Sequence, residues 1–146
     1  KRKELTFAIN LSAKLMTLMK GSETILLVDD EEPIVKMEQI ALERLGYKVT
    51  ARTGSVEALE AFKSKPDKYD LILTDMTMPN MTGLQLAKEI KSIKKDMPVM
   101  ICTGYSDQIN AENFEKLGVD GYVLKPLVTV ELSHKIRELL DKVHYS

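Results

Sequence analysis

Three aspartates close two apolar runs. Ile25-Leu26-Leu27-Val28 ends in Asp29-Asp30, and Leu71-Ile72-Leu73-Thr74 ends in Asp75. Gathered in one place, such side chains repel: two unit charges about 4 Å apart cost about 4 kcal/mol at an effective dielectric of ~20. A chain that brings them together needs a cation, a shared proton or both. Thr103 closes another apolar run, and Lys125 follows Gly121-Tyr122-Val123-Leu124 just before Pro126. Each of these residue types has a part in phosphoryl chemistry. Mg²⁺ takes oxygen ligands and binds through one or two carboxylates plus phosphate oxygens. Asp30 and Asp75 are suited to hold it, with Asp29 orienting a bound water or ligating directly. The counter-charge leaves Asp75 ionised and able to act as a nucleophile. Lys125 offers a compact point charge to one phosphoryl oxygen, and Thr103 a hydroxyl donor to another. In a loose transfer transition state the charge spreads over the equatorial oxygens, where cation, ammonium and hydroxyl would stabilise it.

Taken singly, each residue has a plainer reading. Asp30 or Glu31 could cap a helix, and Lys125 could be a surface charge. Five compatible types at successive strand ends favour the joint reading.

The elements that must position them alternate from Gly21 onward. Strands are predicted at about 24–29, 47–51, 70–74, 97–102 and 120–124, and helices at about 33–45, 55–64, 83–94, 107–117 and 129–143. Strand–helix units of this length imply an α/β fold of parallel strands joined by right-handed crossovers, with helices on both faces. This is a doubly wound, flavodoxin-like (βα)5 sheet of order 2-1-3-4-5, with an extra helical segment at the amino end. Ligands bind such sheets outside the carboxyl ends of the strands, where strand order reverses. Asp29, Asp30 and Asp75 then converge, and Thr103 and Lys125 complete the rim.

Local signals mark the boundaries. Pro33 fits the first turn of the first helix, and Gly46 and Gly118 fit left-handed closing positions. Thr82-Gly83-Leu84-Gln85 matches a capping box. In the last helix Leu132, Ile136, Leu139, Leu140 and Val143 form one apolar stripe. Lys91, Lys94 and Lys95 read as a solvated helix end favoured by the dipole. His134 and His144 read as surface residues of the last helix without nearby partners.

At 146 residues the chain suits one domain with one core. A net charge of −1 gives no electrostatic footprint for nucleic acid or an anionic membrane. Its one cysteine, Cys102, excludes an internal disulfide and reads as a buried strand residue. No run reaches the roughly 18 apolar residues of a membrane span. Residues 1–20 stand apart from the domain expected at 21–146. Phe7, Leu11, Leu15 and Leu18 recur at helical spacing, so this segment is expected to be an amphipathic helix. It could be a connector, a docking or dimerisation helix, or a cloning remnant, and a start at Lys rather than Met favours a fragment or trimmed product.

The residues also resemble a family. From about Thr24 to Val143 the chain resembles the receiver domains of bacterial two-component response regulators. The resemblance is carried by Ile25-Leu26-Leu27-Val28-Asp29-Asp30-Glu31, by Asp75-Met76-Thr77-Met78-Pro79 with Gly83, by Ile101-Cys102-Thr103-Gly104, and by Gly121-Tyr122-Val123-Leu124-Lys125-Pro126. It implies that Asp75 accepts a phosphoryl group from a phosphohistidine on a histidine kinase or histidine phosphotransfer protein. It implies Mg²⁺ held by Asp29, Asp30, Asp75 and the backbone carbonyl of Thr77, and a switch pair of Thr103 and Tyr122. It implies a Lys125-Pro126 bond that is often cis. The signalling surface would comprise the fourth predicted helix, the fifth strand and the fifth helix, which could also pair two copies. Leu127 stands where the family often has Phe. Thr77 and Tyr105 fall where the family tunes phosphoryl lifetime, and Tyr105 is expected to shield the acyl phosphate from water. The expected setting is cytoplasmic, as the carboxyl-terminal receiver of a hybrid histidine kinase, with no direct contact to nucleic acid or membrane.

Two rival chemistries share features with this pattern. An aspartyl-nucleophile, Mg²⁺-dependent phosphohydrolase needs a second Asp two residues past the nucleophile as general acid/base, and that position is Thr77. A flavin carrier shares the fold, but Asp29-Asp30-Glu31 would repel its phosphate. Without an ATP-binding motif the chain is not itself a kinase, and its own catalysis would be limited to accepting, holding and hydrolysing one phosphoryl group.

Overall fold

Three short apolar runs build the centre of the molecule. The computed structural model describes residues 17–104 and 108–145. Five strands alternate with four α-helices among these residues: β1 (Thr24–Val28), α1 (Glu32–Arg44), β2 (Lys48–Arg52), α2 (Ser55–Ser64), β3 (Leu71–Asp75), α3 (Gly83–Ile93), β4 (Val99–Thr103), β5 (Gly121–Leu124) and α4 (Thr129–Tyr145). A 3-10 turn, Pro66–Lys68, precedes β3. The strands form one sheet of order β2-β1-β3-β4-β5, and every pairing is parallel.

Successive strand side chains point to opposite faces, so each central strand feeds two cores. Ile25, Leu27, Leu71, Leu73, Met100 and Cys102 pack beneath α1 and α4, whose Val35, Leu42, Leu132, Ile136 and Leu140 cover them. Leu26, Val28, Ile72, Val99 and Ile101 face the other way, onto Ala58 and Phe62 of α2 and Leu86 and Ile90 of α3. Burial on both faces explains why β1, β3 and β4 are continuous apolar runs rather than alternating ones.

Helix ends follow the expected chemistry. The Thr82 hydroxyl accepts the Gln85 N–H at 3.2 Å, and the Gln85 side chain accepts the Thr82 N–H at 2.9 Å, closing a capping box at α3. Gly46 has φ +105°, and a Cβ there would fall 2.2 Å from the Gly21 carbonyl oxygen. Only glycine fits.

Two expectations need correction. The predicted fourth helix does not form as an α-helix: residues 111–118 make successive turns. Asn110 and Asn113 cap its start reciprocally, the Asn110 side chain accepting the 112 and 113 N–H groups and Asn113 accepting that of Asn110. Beyond that start the hydrogen bonds change span, with Leu117 N–H reaching Asn113, Gly118 reaching Glu115, and Val119 reaching Phe114. Its anchors explain the irregularity. Ile109 and Val119 are buried and Phe114 packs on the same core, and a five-residue interval puts no common stripe on a helix of 3.6 residues per turn.

The second correction concerns the amino end. Residues 17–20 are irregular rather than helical, and the rest of the predicted helix lies outside the described residues. These residues run along α4. The Met19 N–H donates to Ser133 Oγ at 3.1 Å, and Thr17 O lies 2.7 Å from His134 Nε2. His134 therefore has a backbone partner that the sequence did not foretell. Arg137 then grips both oxygens of Glu23, at 2.7 and 2.9 Å.

Candidate functional site

Hydrogen bonds that run past the strand ends bring the chemical residues together. The Met76 N–H donates to the Cys102 carbonyl at 2.9 Å, and the Lys125 N–H to the Thr103 carbonyl at 2.8 Å. Asp75, Thr103 and Lys125 thus follow one another across neighbouring strands, with Asp29 and Asp30 just past β1. Gly83 allows α3 to begin close by, since a Cβ on it would fall 2.3 Å from the Asp75 carbonyl oxygen.

The three aspartates converge as expected. Asp29, Asp30 and Asp75 each offer an oxygen, all within 4.8 Å of one another. Asp29 and Asp75 are buried and Asp30 is exposed, so the cluster opens to solvent on one side. Asp29 Oδ1 accepts the Glu31 N–H at 2.9 Å, which fixes that carboxylate at the start of α1. Lys125 answers the charge: its Nζ lies 2.9 Å from Asp75 Oδ1 and 3.5 Å from Asp29 Oδ2. The Lys125-Pro126 bond is cis.

Electrostatics follow from this packing. Burial raises the Asp75 carboxyl above its ordinary range, Lys125 draws it down, and the charges of Asp29 and Asp30 add to the rise. Burial opposes the charge of Lys125, yet Asp75 and Asp29 together hold its ammonium above the usual lysine range. The site is acidic and short of positive charge. All its donors are oxygens of the kind a hard divalent cation prefers, so the cluster fits Mg²⁺.

Thr103 is fully buried at the end of β4, and its hydroxyl donates to the Gly104 carbonyl at 3.4 Å. Thr77 lies in the exposed loop two residues past Asp75. Tyr122 is half-buried on β5, its ring 5.7 Å from that of Phe114, with the Lys135 ammonium 5.5 Å from its centre. Tyr105, expected to shield the phosphoryl group, lies outside the described residues.

The sequence reading missed one member of the neighbourhood. Glu38 of α1 is buried, and its Oε1 has no hydrogen-bond partner among the described residues. Burial and the charges of Asp29 and Asp75, against the pull of Lys125, push its carboxyl up to about 7. A signal was available, because Glu38 sits between Val35 and Leu42 on the stripe that faces the core. An acid within an apolar stripe marks a special site.

Known proteins share both sequence and fold. The family model described as "Response regulator receiver domain" matches residues 25–137. The chain is 33% identical over 121 residues to the alkaline phosphatase synthesis transcriptional regulatory protein PhoP of Bacillus subtilis (strain 168), covering 83% of this chain and 50% of that protein. It is 31% identical over 126 residues to the sensor kinase CckA of Brucella abortus (strain 2308), covering 86% of this chain and 13% of the kinase. The chain thus spans half or less of the length of these two relatives. A response regulator receiver domain protein from Clostridium thermocellum superposes with a TM-score of 0.79 at 33% identity, covering 84% of this chain and 98% of that one. The receiver domain of sensor histidine kinase PA1611 from Pseudomonas aeruginosa PAO1, solved with a magnesium ion in its active-site cleft, superposes at 0.72 with 26% identity, covering 83% of this chain and 99% of that one. The match spans the strand ends that carry Asp29, Asp75, Thr103 and Lys125, and with it this chain belongs to the response regulator receiver domains of two-component systems.

Proposed function

We propose that the domain is a phosphoacceptor: a phosphohistidine of a histidine kinase or phosphotransfer protein gives its phosphoryl group to Asp75. The observation that carries this reading is the Lys125 ammonium, 2.9 Å from Asp75 Oδ1 within a cluster of three aspartates. An Asp75 oxygen forms the new P–O bond while the P–N bond to the donor imidazole breaks, and the imidazole keeps the electron pair. Lys125 leaves Asp75 for a phosphoryl oxygen as charge develops there, and the Thr103 hydroxyl turns from Gly104 to another. Asp29, Asp30, Asp75 and the Thr77 carbonyl would hold Mg²⁺. When bound, that ion offsets the carboxylate charge and stabilises the oxygens of the transferring group.

As Thr103 turns, Tyr122 would respond, and the surface of residues 110–118, β5 and α4 would carry the signal. That surface shifts only by as much as its interactions differ between the two states. Residues 21–146 would form the receiver, with residues 1–20 a connecting extension. The resemblance to part of a sensor kinase favours a hybrid histidine kinase as the parent protein, and a carboxyl-terminal place in it, on the cytoplasmic side, completes the proposal. No helix among the described residues is long and apolar enough to cross a membrane.

Incubation with acetyl phosphate and Mg²⁺, read by intact mass, tests the assignment. One added phosphoryl group in the parent and none in Asp75→Asn is the expected result. Equal labelling of both would overturn it, as would steady turnover of small phosphate esters.

A further inference from the structure

One face of α3 takes no part in the core. Leu84, Lys88 and Lys91 recur at intervals of four and three, a single stripe on a helix of 3.6 residues per turn. Leu86, Ala87 and Ile90 occupy the buried side. Opposite the stripe run Lys116, Leu117 and Gly118, the last of the turns at 111–118, and the two walls enclose a groove of about 480 Å³. Neither β5 nor α4 contributes to it. Gly118 leaves its end open, since a Cβ there would meet nothing within 4 Å. Beside it Leu117 is 39% exposed.

The charges along this groove all have one sign. Lys88, Lys91 and Lys116 line it, and no acidic residue does. Lys91 is satisfied, its ammonium donating to the Asp120 carboxylate at 2.7 Å and the Met97 carbonyl at 3.0 Å. Lys88 and Lys116 have no ion-pair partner among the described residues. The sequence accounts for both. Three and four residues from Lys88 stand Leu84, Gln85, Lys91 and Ser92, none of them acidic. Glu112 stands four residues before Lys116, a spacing that pairs charges on an α-helix, but 111–118 is a run of turns.

From this we infer that the groove receives an acidic segment of a partner protein, with one apolar side chain against Leu84 and Leu117 and carboxylates on Lys88 and Lys116. Charge complementarity selects this occupant. A single exposed ion pair contributes little, so the segment needs carboxylates on both sides of its apolar residue. No aromatic ring lines the groove, which therefore lacks the platform on which a nucleobase stacks. The net charge of −1 likewise exerts no long-range pull on a polyanion. The contact stands apart from the phosphoacceptor reading, because the groove shares no residue with the aspartate cluster or with Thr103 and Lys125.

Two labelled peptides test it, each with a central leucine, one flanked on both sides by glutamates and the other by glutamines. Methyl NMR of Leu84 and Leu117 reports the site, and fluorescence anisotropy the affinity. At low salt the glutamate peptide is expected to shift these methyls and to bind about tenfold tighter than the glutamine peptide. Raising NaCl to about 0.5 M should erase most of that difference. Lys88 and Lys116 are both exposed, so a double variant, Lys88→Glu with Lys116→Glu, keeps its cores and should lose the glutamate peptide. Lys63→Glu, the same charge change on the exposed side of α2, should leave binding nearly unchanged. Equal binding of the two peptides, shifts confined to another surface, or undiminished binding by the double variant would overturn the inference. An equal loss in Lys63→Glu would reduce the effect to net charge and overturn it too. A single-stranded oligothymidylate that moves the same methyls at lower concentration would assign the groove to nucleic acid instead. Self-association of the parent that moves them without peptide would assign it to a second copy, again overturning the inference. Acetyl phosphate labelling keeps the two readings apart: a labelled parent whose groove takes no peptide sinks this inference alone, and an unlabelled one that binds peptide sinks the phosphoacceptor reading alone.

Discussion

Lys125 is the residue on which the unphosphorylated site balances. Its ammonium bridges Asp75 and Asp29, and both of those carboxylates are buried while Lys125 is partly exposed. Removing one partner of a buried pair leaves the other uncompensated. Lys125→Met is therefore expected to lower stability by about 1–2 kcal/mol at pH 8 without divalent metal, discounting for solvent around the ammonium. Mg²⁺ should recover most of that loss, since another cation then faces the same oxygens. Urea unfolding with EDTA and with Mg²⁺ measures both effects. A variant that loses stability equally in the two conditions would mean that Lys125 packs rather than balances charge. Asp29, Asp30, Asp75, Thr103 and Lys125 were legible in the sequence because each ends a recognisable apolar run. Glu38 ends no such run, and its one sign in the sequence is its place on the Val35–Leu42 stripe of α1.

Between elements, the join of the amino-terminal segment to α4 is the feature with a measurable consequence. Arg137 holds Glu23 in a bidentate grip, with Asp141 and the Tyr47 hydroxyl as its further partners. The Arg137 hydrogen bonds, against some opposing burial, hold the Glu23 carboxyl down at about 2, from an ordinary 4.5. A depressed carboxyl stabilises the fold while it is ionised. The contribution is complete above about pH 4.5 and is lost as pH falls towards 2. After allowance for solvent screening it is worth about 2 kcal/mol. Glu23→Gln should cost that amount at neutral pH and flatten the acid limb of a stability–pH curve; an unchanged limb would show that Arg137 is satisfied by Asp141 alone. This join escaped the sequence reading because its partners lie 114 residues apart. The predicted 107–117 helix fails for the opposite reason. Local composition and the Gly118 stop favour a helix, but Ile109, Phe114 and Val119 recur every five residues, off a helical period.

At the scale of the whole molecule, the fold concentrates negative charge at one end of the sheet. The parallel order β2-β1-β3-β4-β5 sets the carboxyl ends of β1 and β3 side by side, so Asp29, Asp30 and Asp75 must share a few ångströms. The hydrophobic faces of the strands stabilise that arrangement, and the carboxylates oppose it. A ligand that binds only the folded state adds stability by mass action, about 2.7 kcal/mol when its free concentration is about 100 times its Kd. Mg²⁺ is therefore expected to raise the melting temperature of the parent in proportion to its saturation, and EDTA to reverse the effect. Asp30→Asn separates the two contributions, because Asp30 is exposed and its loss leaves the cores untouched. That variant should equal or exceed the parent in stability without metal, since one repelling charge is gone, and should respond much less to Mg²⁺. Differential scanning calorimetry across a Mg²⁺ series measures both. Should Asp30→Asn keep the full metal response, the ion would be held elsewhere, and the three-aspartate cluster would have no part in binding it.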